Sequence, residues 1–254
     1  MTKMLAASEG VTTNWLDLPE DVMITIFMKL GPFEVFYSAQ GVCSSWRNLA
    51  KEPRIFRSIV ISRRQWSRFG KYYPNLAKQA VDRSCGEVAE ISFVGWDWDC
   101  CWFLQYIADQ PNMVKRLRME HWSKTSDVLL IKYVTKFPLL EELELKRYYF
   151  SREEIKELGR CCPKLKYLRL EENLASLFGE AKCTGDEDAF AIAESMPQLR
   201  HLTLLVNCLS NDGLRAIIDG CPYLEYLELR QWHIKFEVEL IEKCVSRIRD
   251  VRLR

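Results

Sequence analysis

The sequence repeats one eight-residue pattern four times, and this repetition constrains the fold more than any other feature of the chain. A proline is followed by leucines two, five and seven residues later at Pro138, Pro163, Pro197 and Pro222. The first two prolines are 25 residues apart, and so are the last two. Between the second and the third the distance is 34 residues, one period plus nine. A constant period in the twenties predicts a stack of similar structural units.

Each unit combines a half-buried strand with a helix. The stretch Leu143-Glu144-Leu145-Lys146 alternates apolar and polar residues, as a strand with one buried face does. A helical pattern follows from Ser151, and Glu154 stands at capping-box spacing from it. Strand, short link, helix and strand again imply parallel strands. We therefore predict an α/β leucine-rich-repeat solenoid with parallel strands inside, helices outside and an open concave sheet.

Fainter copies extend the array in both directions. They keep the apolar spacing at Val88–Phe93, Val114–Met119, Ile248–Leu253 and, most weakly, Phe56–Ile61. We assign residues 57–254 to about seven repeats and predict strands that end at 61, 93, 119, 145, 170, 204, 229 and 253. The insertion falls near residues 171–190, where a longer loop serves recognition or is simply solvated.

Composition excludes several classes of partner. The 254-residue chain is 48% hydrophobic with a formal net charge of +1, which gives no electrostatic basis for binding nucleic acid. No apolar run reaches the roughly 18 residues of a membrane span, and the N-terminus lacks the apolar core of a signal peptide. We expect an intracellular protein of the nucleus, the cytoplasm or both, with no membrane partner.

The cysteines and histidines predict no metal, cofactor or catalytic site. None of the ten cysteines forms a Cys-x-x-Cys pair, and Cys162 and Cys221 directly precede repeat prolines. Small thiols suit such turns, so we expect free, structural cysteines without disulfides or zinc. The three histidines have no nucleophile at a motif spacing, and no glycine-rich phosphate loop is present. We predict a protein that is not an enzyme.

The N-terminal segment differs from the repeats. Residues 1–13 are polar and predict a flexible tail. A helix is expected to begin near Pro19, with an apolar stripe at Val22, Ile26 and Leu30, and to stop at Gly31-Pro32. Two more short helical patterns follow up to Pro53. Three short helices make a very small core, so the segment either caps the first repeat or binds a partner.

Residues 14–56 resemble an F-box, through the ordered set Leu18-Pro19, Val42-Cys43 and Trp46-Arg47. F-boxes dock on a Skp1-type adaptor and through it on a cullin. The resemblance implies these adaptor-binding residues: Leu18, Pro19, Ile26, Leu30, Val42, Cys43 and Trp46. The family often has a basic residue between the cysteine and the tryptophan, and Ser44-Ser45 lacks it, which puts one side contact in doubt.

With the repeats behind it, the chain resembles a plant-type F-box/leucine-rich-repeat protein. This implies a non-catalytic substrate-recognition subunit of an SCF-type ubiquitin ligase, whose concave face holds a target protein. Outward strand positions give the predicted target-binding residues: Tyr167, Arg169, His201, Thr203, Tyr226, Glu228 and Arg230. In register, the tyrosines and His201 form an aromatic column, typical of a binding hot spot. The alternative is that these are ordinary strand residues whose side chains pair with those of the neighbouring strand, as Glu144 and Arg169 are expected to do.

Two other functions remain open at this stage. One is a leucine-rich-repeat scaffold that binds partners without a ligase, and the other is a small-molecule sensor with a pocket in the same face. The aromatic stretch Trp96–Phe103 predicts core packing or a ligand pocket. The basic stretch Arg63–Arg68 predicts a solvated face rather than a nucleic-acid contact.

Overall fold

The computed structural model describes residues 15–95, 101–120, 127–148, 150–172, 186–207, 209–231 and 236–253. The predicted tail, Asn14, Trp96 to Cys100 and the insertion between 173 and 185 lie outside these residues. Within the described ranges, strands and helices alternate along the chain, as the repeats predict.

Eight parallel strands form one sheet in chain order. They are β1 (Ser58–Ser62), β2 (Glu90–Val94), β3 (Arg116–Glu120), β4 (Glu142–Tyr148), β5 (Tyr167–Glu172), β6 (His201–Asn207), β7 (Tyr226–Gln231) and β8 (Asp250–Leu253). Every predicted strand is present, and the faintest copy of the pattern forms β1. Equivalent residues of successive repeats lie side by side, as Leu143, Leu168, Leu202 and Leu227 do.

Eleven α-helices lie in the described residues. They are α1 (Glu20–Leu30), α2 (Pro32–Tyr37), α3 (Ser44–Leu49), α4 (Arg63–Phe69), α5 (Tyr73–Arg83), α6 (Cys101–Ala108), α7 (Asp127–Val134), α8 (Arg152–Cys161), α9 (Glu187–Ser195), α10 (Asn211–Gly220) and α11 (Val238–Arg247). Short 3-10 turns occupy Trp15–Asp17, Ala39–Gly41, Pro53–Phe56 and Gly70–Tyr72.

The strands bury one face only. Inward positions such as Ile59, Leu117 and Leu227 are 0% exposed, while most outward neighbours are half-buried or exposed. The helices therefore cover one side of the sheet and leave the other side open. Most parallel sheets are covered on both faces, but this sheet is covered on one. Its second face is therefore free to contact another molecule.

Local chemistry fixes the repeat helices. Ser151 and Glu154 form the predicted capping box, in which the Glu154 amide donates to the Ser151 hydroxyl at 3.3 Å and the Ser151 amide to the Glu154 carboxylate at 2.7 Å. Helices of neighbouring repeats approach closely where a side chain is missing. A Cβ on Gly220 would lie 2.6 Å from the backbone of Ala193. The close packing of α10 against α9 therefore requires glycine at position 220.

The N-terminal helices share one core with the first repeat. Phe33 of α2 stacks on Tyr73 of α5 with 4.9 Å between ring centroids. The Arg83 guanidinium lies 4.6 Å from the Phe36 ring centroid and donates to the Ala50 carbonyl at 3.2 Å. These contacts hold the three-helix segment against α5 of the first repeat, so the segment also covers that end of the array. Within the described residues no single helix suits a membrane span; α1 together with the following helical segment does by length and composition, but bent by 110°.

The register predicts a contrast between neighbouring residues of β7. Leu227→Ala should lower the free energy of unfolding by about 2–5 kcal/mol, because Leu227 is fully buried and its truncation leaves a cavity. Tyr226→Ala should cost no more than about 1 kcal/mol, because Tyr226 faces the open side. Denaturant unfolding followed by circular dichroism measures both. Equal destabilisation by the two substitutions would contradict the register and every outward assignment that depends on it.

Candidate protein-binding surfaces

Exposed apolar side chains are concentrated in the N-terminal helices. Of the thirteen exposed large apolar residues in the described ranges, six lie between residues 15 and 42. These six are Trp15, Val22, Met28, Leu30, Tyr37 and Val42. Single exposed apolar residues are common on any protein, whereas a cluster on one small module is typical of an interaction site.

The predicted adaptor-binding residues divide by exposure. Pro19, Leu30 and Val42 are exposed, and Val42 is 62% exposed. Leu18, Ile26, Cys43 and Trp46 are half-buried. The structure brings Leu18 and Trp46 together in a small groove, and Trp46 packs edge-on against Phe27 at 5.3 Å. Cys43 caps α3, because its sulfur accepts a hydrogen bond from the Trp46 amide at 3.4 Å.

Helix α1 buries the residues beside its predicted apolar stripe, Met23 and Phe27 among them, rather than the stripe itself. Met23, Ile24 and Phe27 are buried, whereas Val22 and Leu30 of the predicted stripe are 42% and 47% exposed. Apolar residues surround much of this helix, so spacing alone did not decide which of them enters the core. The contacts with α2 and α3 decide it. The surplus apolar face is left for a partner.

The predicted aromatic column is present on the open face. The rings of Tyr167, His201 and Tyr226 lie on three adjacent strands, with 5.9 Å between the centroids of each neighbouring pair. The interplanar angles are 30° and 28°, so the rings are roughly parallel. At the far end, the Arg252 guanidinium lies 5.3 Å from the Tyr226 ring centroid. The column is therefore one continuous surface feature rather than three separate side chains.

Two outward positions are covered rather than exposed, contrary to the alternation. Thr203 and Leu205 of β6 are 2% and 5% exposed. Thr203 lies in register between Arg169 and Glu228, whose longer side chains stand on either side. Thr203 was predicted to bind the target. The structure places it below the surface, between residues that a partner would meet first.

Ion pairs cover the first half of the open face. Arg116 contacts Glu90 and also lies 3.7 Å from Glu142. Lys146 pairs with Glu120 at 2.6 Å. The expected pairing of Glu144 with Arg169 is wrong, because Glu144 pairs instead with Arg118 on its other side, at 3.3 Å.

Burial and carboxylates change the acidity of the column. The pKa of Tyr167 is raised by burial first and then by the nearby Glu144 carboxylate, while Arg169 opposes the shift. The pKa of Tyr226 is raised by burial and by its hydrogen bond to Glu228, in which the hydroxyl donates at 3.0 Å. Both phenols therefore stay protonated at neutral pH, and the Tyr226 hydroxyl donates its proton to Glu228.

Two clefts lie elsewhere on the sheet. One runs between the N-terminal helices and the start of β2 and β3, with Met28, Arg54 and Met113 among its lining residues. A shallower one is centred on β2 and β3 and includes Val94 and Arg118. Neither includes a predicted target-binding residue. The column is therefore an open surface suited to a macromolecule rather than the wall of these clefts.

Other motifs of the sequence are structural where they are described. Arg68 of the basic stretch pairs with Glu34 and lies 5.0 Å from the Tyr37 ring centroid. Phe103 and Ile107 are fully buried, so the described part of the aromatic stretch packs in the core. Asp186 of the insertion accepts hydrogen bonds from the Ser210 amide and hydroxyl, at 2.7 and 2.5 Å. His121 and His233 lie outside the described residues.

The described cysteines fit a structural role. Cys162 and Cys221 are the buried C-cap residues of α8 and α10, Cys244 is buried within α11, and six described cysteines are free. No group of three or more metal-ligating side chains occurs within the described ranges. Burial raises the pKa of Cys162 to about 12 and that of Cys221 to about 11. Both are neutral thiols at physiological pH.

Comparison with known proteins identifies the N-terminal module. A family model described as F-box-like matches residues 15–62. The match begins at Trp15, covers α1 to α3 and ends with β1. It thus contains all seven of the predicted adaptor-binding residues and the cluster of exposed apolar side chains.

Three curated relatives from Arabidopsis thaliana are similar over nearly the whole chain. F-box/LRR-repeat protein 23 is 40% identical over 94% of this chain and 53% of its own length. F-box/LRR-repeat protein 22 is 39% identical over 96% and 78%, and F-box/LRR-repeat protein 9 is 37% identical over 89% and 91%. The chain spans about half the length of the first of these. A solved yeast complex of Rad7 and Elc1 contains a chain that aligns with a TM-score of 0.47 and 15% identity, over 92% of this chain and 68% of that one.

The different burial of the cysteine thiols predicts the order in which they react. Among the six cysteines whose burial the structure describes, Cys85 should react first with a thiol reagent at pH 8, because it is the exposed one of the six. Cys162 and Cys221 should react only after denaturation, because burial excludes the reagent and the raised pKa suppresses the reactive thiolate. Peptide mass spectrometry after timed labelling measures each site. Modification of Cys162 as fast as Cys85 in the native protein would refute the turn assignment.

Proposed function

The chain belongs to the family of F-box/leucine-rich-repeat proteins, and from that membership we propose that it is a substrate-recognition subunit of an SCF-type E3 ubiquitin ligase. The N-terminal helices dock on a Skp1-like adaptor and through it on a cullin. The open face of the repeats holds a target protein. The chain itself is not a catalyst. It contributes proximity between the target and an enzyme that other subunits bring.

One observation carries the docking half of the proposal. Seven of the thirteen exposed large apolar side chains in the described residues lie on the module that the F-box-like family model matches. Val42 and Leu30 are exposed, so the described residues of the chain do not bury these two apolar side chains. A partner that buries these side chains gains roughly 1.5–3 kcal/mol for each one that becomes fully covered.

The target half of the proposal rests on the column. Tyr167, His201 and Tyr226 form a rigid aromatic ridge on an uncovered sheet. Tyrosine offers a large contact area with few rotatable bonds, and its hydroxyl adds a directional hydrogen bond. Such residues are over-represented among interface hot spots. The face is wide and shallow, which favours a protein segment over a small molecule.

The chain contains a matched pair of valines for testing adaptor docking. Val42→Asp should weaken binding to a Skp1-type adaptor by at least about tenfold, because it places a charge where an apolar contact is expected. Val245→Asp is the control, since Val42 and Val245 are both 62% exposed and Val245 lies on α11 at the other end of the array. Binding of the full chain to immobilised adaptor measures both variants.

Both valine variants should unfold at the same temperature as the unmodified chain, because both sites are exposed. If Val42→Asp and Val245→Asp bind the adaptor equally well, the exposed residues around Val42 do not form the docking surface. Failure of the unmodified chain to bind, with an adaptor that binds another F-box protein, would reject the ligase role.

Docking and target binding should be separable by mutation. Tyr226→Ala should keep the adaptor but lose the target, because it removes one end of the column and leaves α1 to α3 untouched. The converse is expected of Val42→Asp. Affinity purification of each variant with quantitative mass spectrometry measures the two sets of partners. Proteins retained by Tyr226→Ala at the unmodified level are not targets held by this face.

A further inference from the structure

The charged residues of the open face fall into two groups. On β2, β3 and β4, all seven outward charged side chains have an ion-pair partner within 4.0 Å: Glu90, Arg116, Arg118, Glu120, Glu142, Glu144 and Lys146. On β5 to β7 the pattern changes. Among the described residues, Arg169, Glu171 and Arg230 have no ion pair. The Glu228 carboxylate of β7 accepts a hydrogen bond from the Tyr226 hydroxyl. The half of the face that carries the aromatic column therefore holds its charges largely outside ion pairs.

Arg169 is the most constrained of these three residues. Its Nε atom is buried and has no hydrogen-bond acceptor among the described residues. The carboxylate directly opposite in register belongs to Glu144, but that carboxylate lies 3.3 Å from the Arg118 guanidinium. On the other side stands Thr203, which is neutral and buried. Neither neighbouring strand supplies Arg169 with a carboxylate, and the polar group beside its guanidinium is the neutral Tyr167 hydroxyl of its own strand.

A buried guanidinium N–H without an acceptor is unfavourable, and native proteins rarely leave one in that state. The acceptor can come from a bound partner instead. A carboxylate suits the site because it accepts two parallel N–H bonds from one guanidinium. Ring edges of Tyr167 and His201 in the adjacent row would limit the access of water to such a pair and strengthen it.

We propose that Arg169 is the specificity-determining residue of the open face and pairs with the side-chain carboxylate of an aspartate or glutamate in a target segment. The inference rests on the proposed function and names the chemical group that this face selects. Arg230 stands in the next row on β7 as a second, exposed cation that favours acidic flanking residues.

Charge on the face favours a carboxylate over a phosphate. Glu144 lies in register beside Arg169, and Glu171 follows two residues later on the same side of β5. A dianionic phosphate would experience twice the repulsion of a carboxylate from these two groups. Arg169, which is half-buried, is the one arginine of β5 beside them. A phosphorylated target is therefore the alternative outcome of the test, not part of the proposal.

Selection from a displayed library of random dodecapeptides on the immobilised full chain tests the proposal. The enriched peptides should share an aspartate or glutamate at one position. A synthetic copy of the best peptide should lose at least about tenfold in affinity when that residue becomes asparagine or glutamine, because the half-buried Arg169 then loses its charged partner. The same peptide with phosphoserine at that position should bind more weakly than the original.

Variants of the chain complete the experiment. Arg169→Met should lose the preference for the acidic peptide, and Arg169→Glu should instead enrich lysine or arginine at the same position. Arg116→Met is the matched control, because Arg116 lies two strands away and is already paired with Glu90. That variant should select the same peptides as the unmodified chain. Adaptor binding by each preparation reports its folding independently.

Each outcome has one meaning. Peptides that depend on Tyr167 and Tyr226 but not on Arg169 would overturn this inference and leave the proposed target face standing. Tighter binding of phosphoserine than of aspartate would replace the carboxylate with a phosphate and also overturn it. Enriched peptides whose binding no open-face substitution changes, or no enrichment at all, would reject both this inference and the target face. Adaptor docking is tested separately by the binding assay with the valine variants.

Discussion

Side-by-side stacking of buried leucines across the sheet is the interaction on which the rest of the molecule depends. Leu143, Leu168, Leu202 and Leu227 lie in one row, and each is 0% exposed. Because side chains alternate between the two faces of a strand, fixing this row also fixes which residues face outwards. The aromatic column is a direct consequence. Its three rings meet because each precedes a stacked leucine by one position.

The same constraint explains what could be predicted from the sequence. Strand positions, strand order and the column follow from a period that admits only one register. Spacing does not determine how neighbouring side chains compete. Glu144 has an arginine on each side and pairs with Arg118 rather than Arg169. Thr203 is outward by alternation but covered, because exposure depends on the length of its neighbours as well as on its own direction. The buried face of α1 likewise depends on helices packed against it.

The contact between the N-terminal helices and the repeats bears on function. Three short helices cannot bury enough apolar surface to be stable alone. Here Phe33 stacks on Tyr73, and Arg83 lies over Phe36. Part of the core of the F-box helices is therefore formed by side chains of the first repeat. A shared core holds the docking surface and the open face in one fixed relation. A subunit that acts by proximity needs this rigidity, since a flexible joint would lower the effective concentration of the target at the enzyme.

The division of the open face into paired and unpaired charges separates a scaffold from a binding surface on physical grounds. A target that used Arg118 or Arg116 would first have to displace Glu144, or Glu90 and Glu142, and the exchange of one exposed ion pair for another contributes little. Arg169 has no such partner to displace, and part of its desolvation has already occurred in the free protein. An incoming carboxylate therefore gains a charged hydrogen bond at a site where one donor atom is already out of contact with water. The selectivity of the face thus depends less on how many charged side chains it carries than on which of them have no ion-pair partner within the fold.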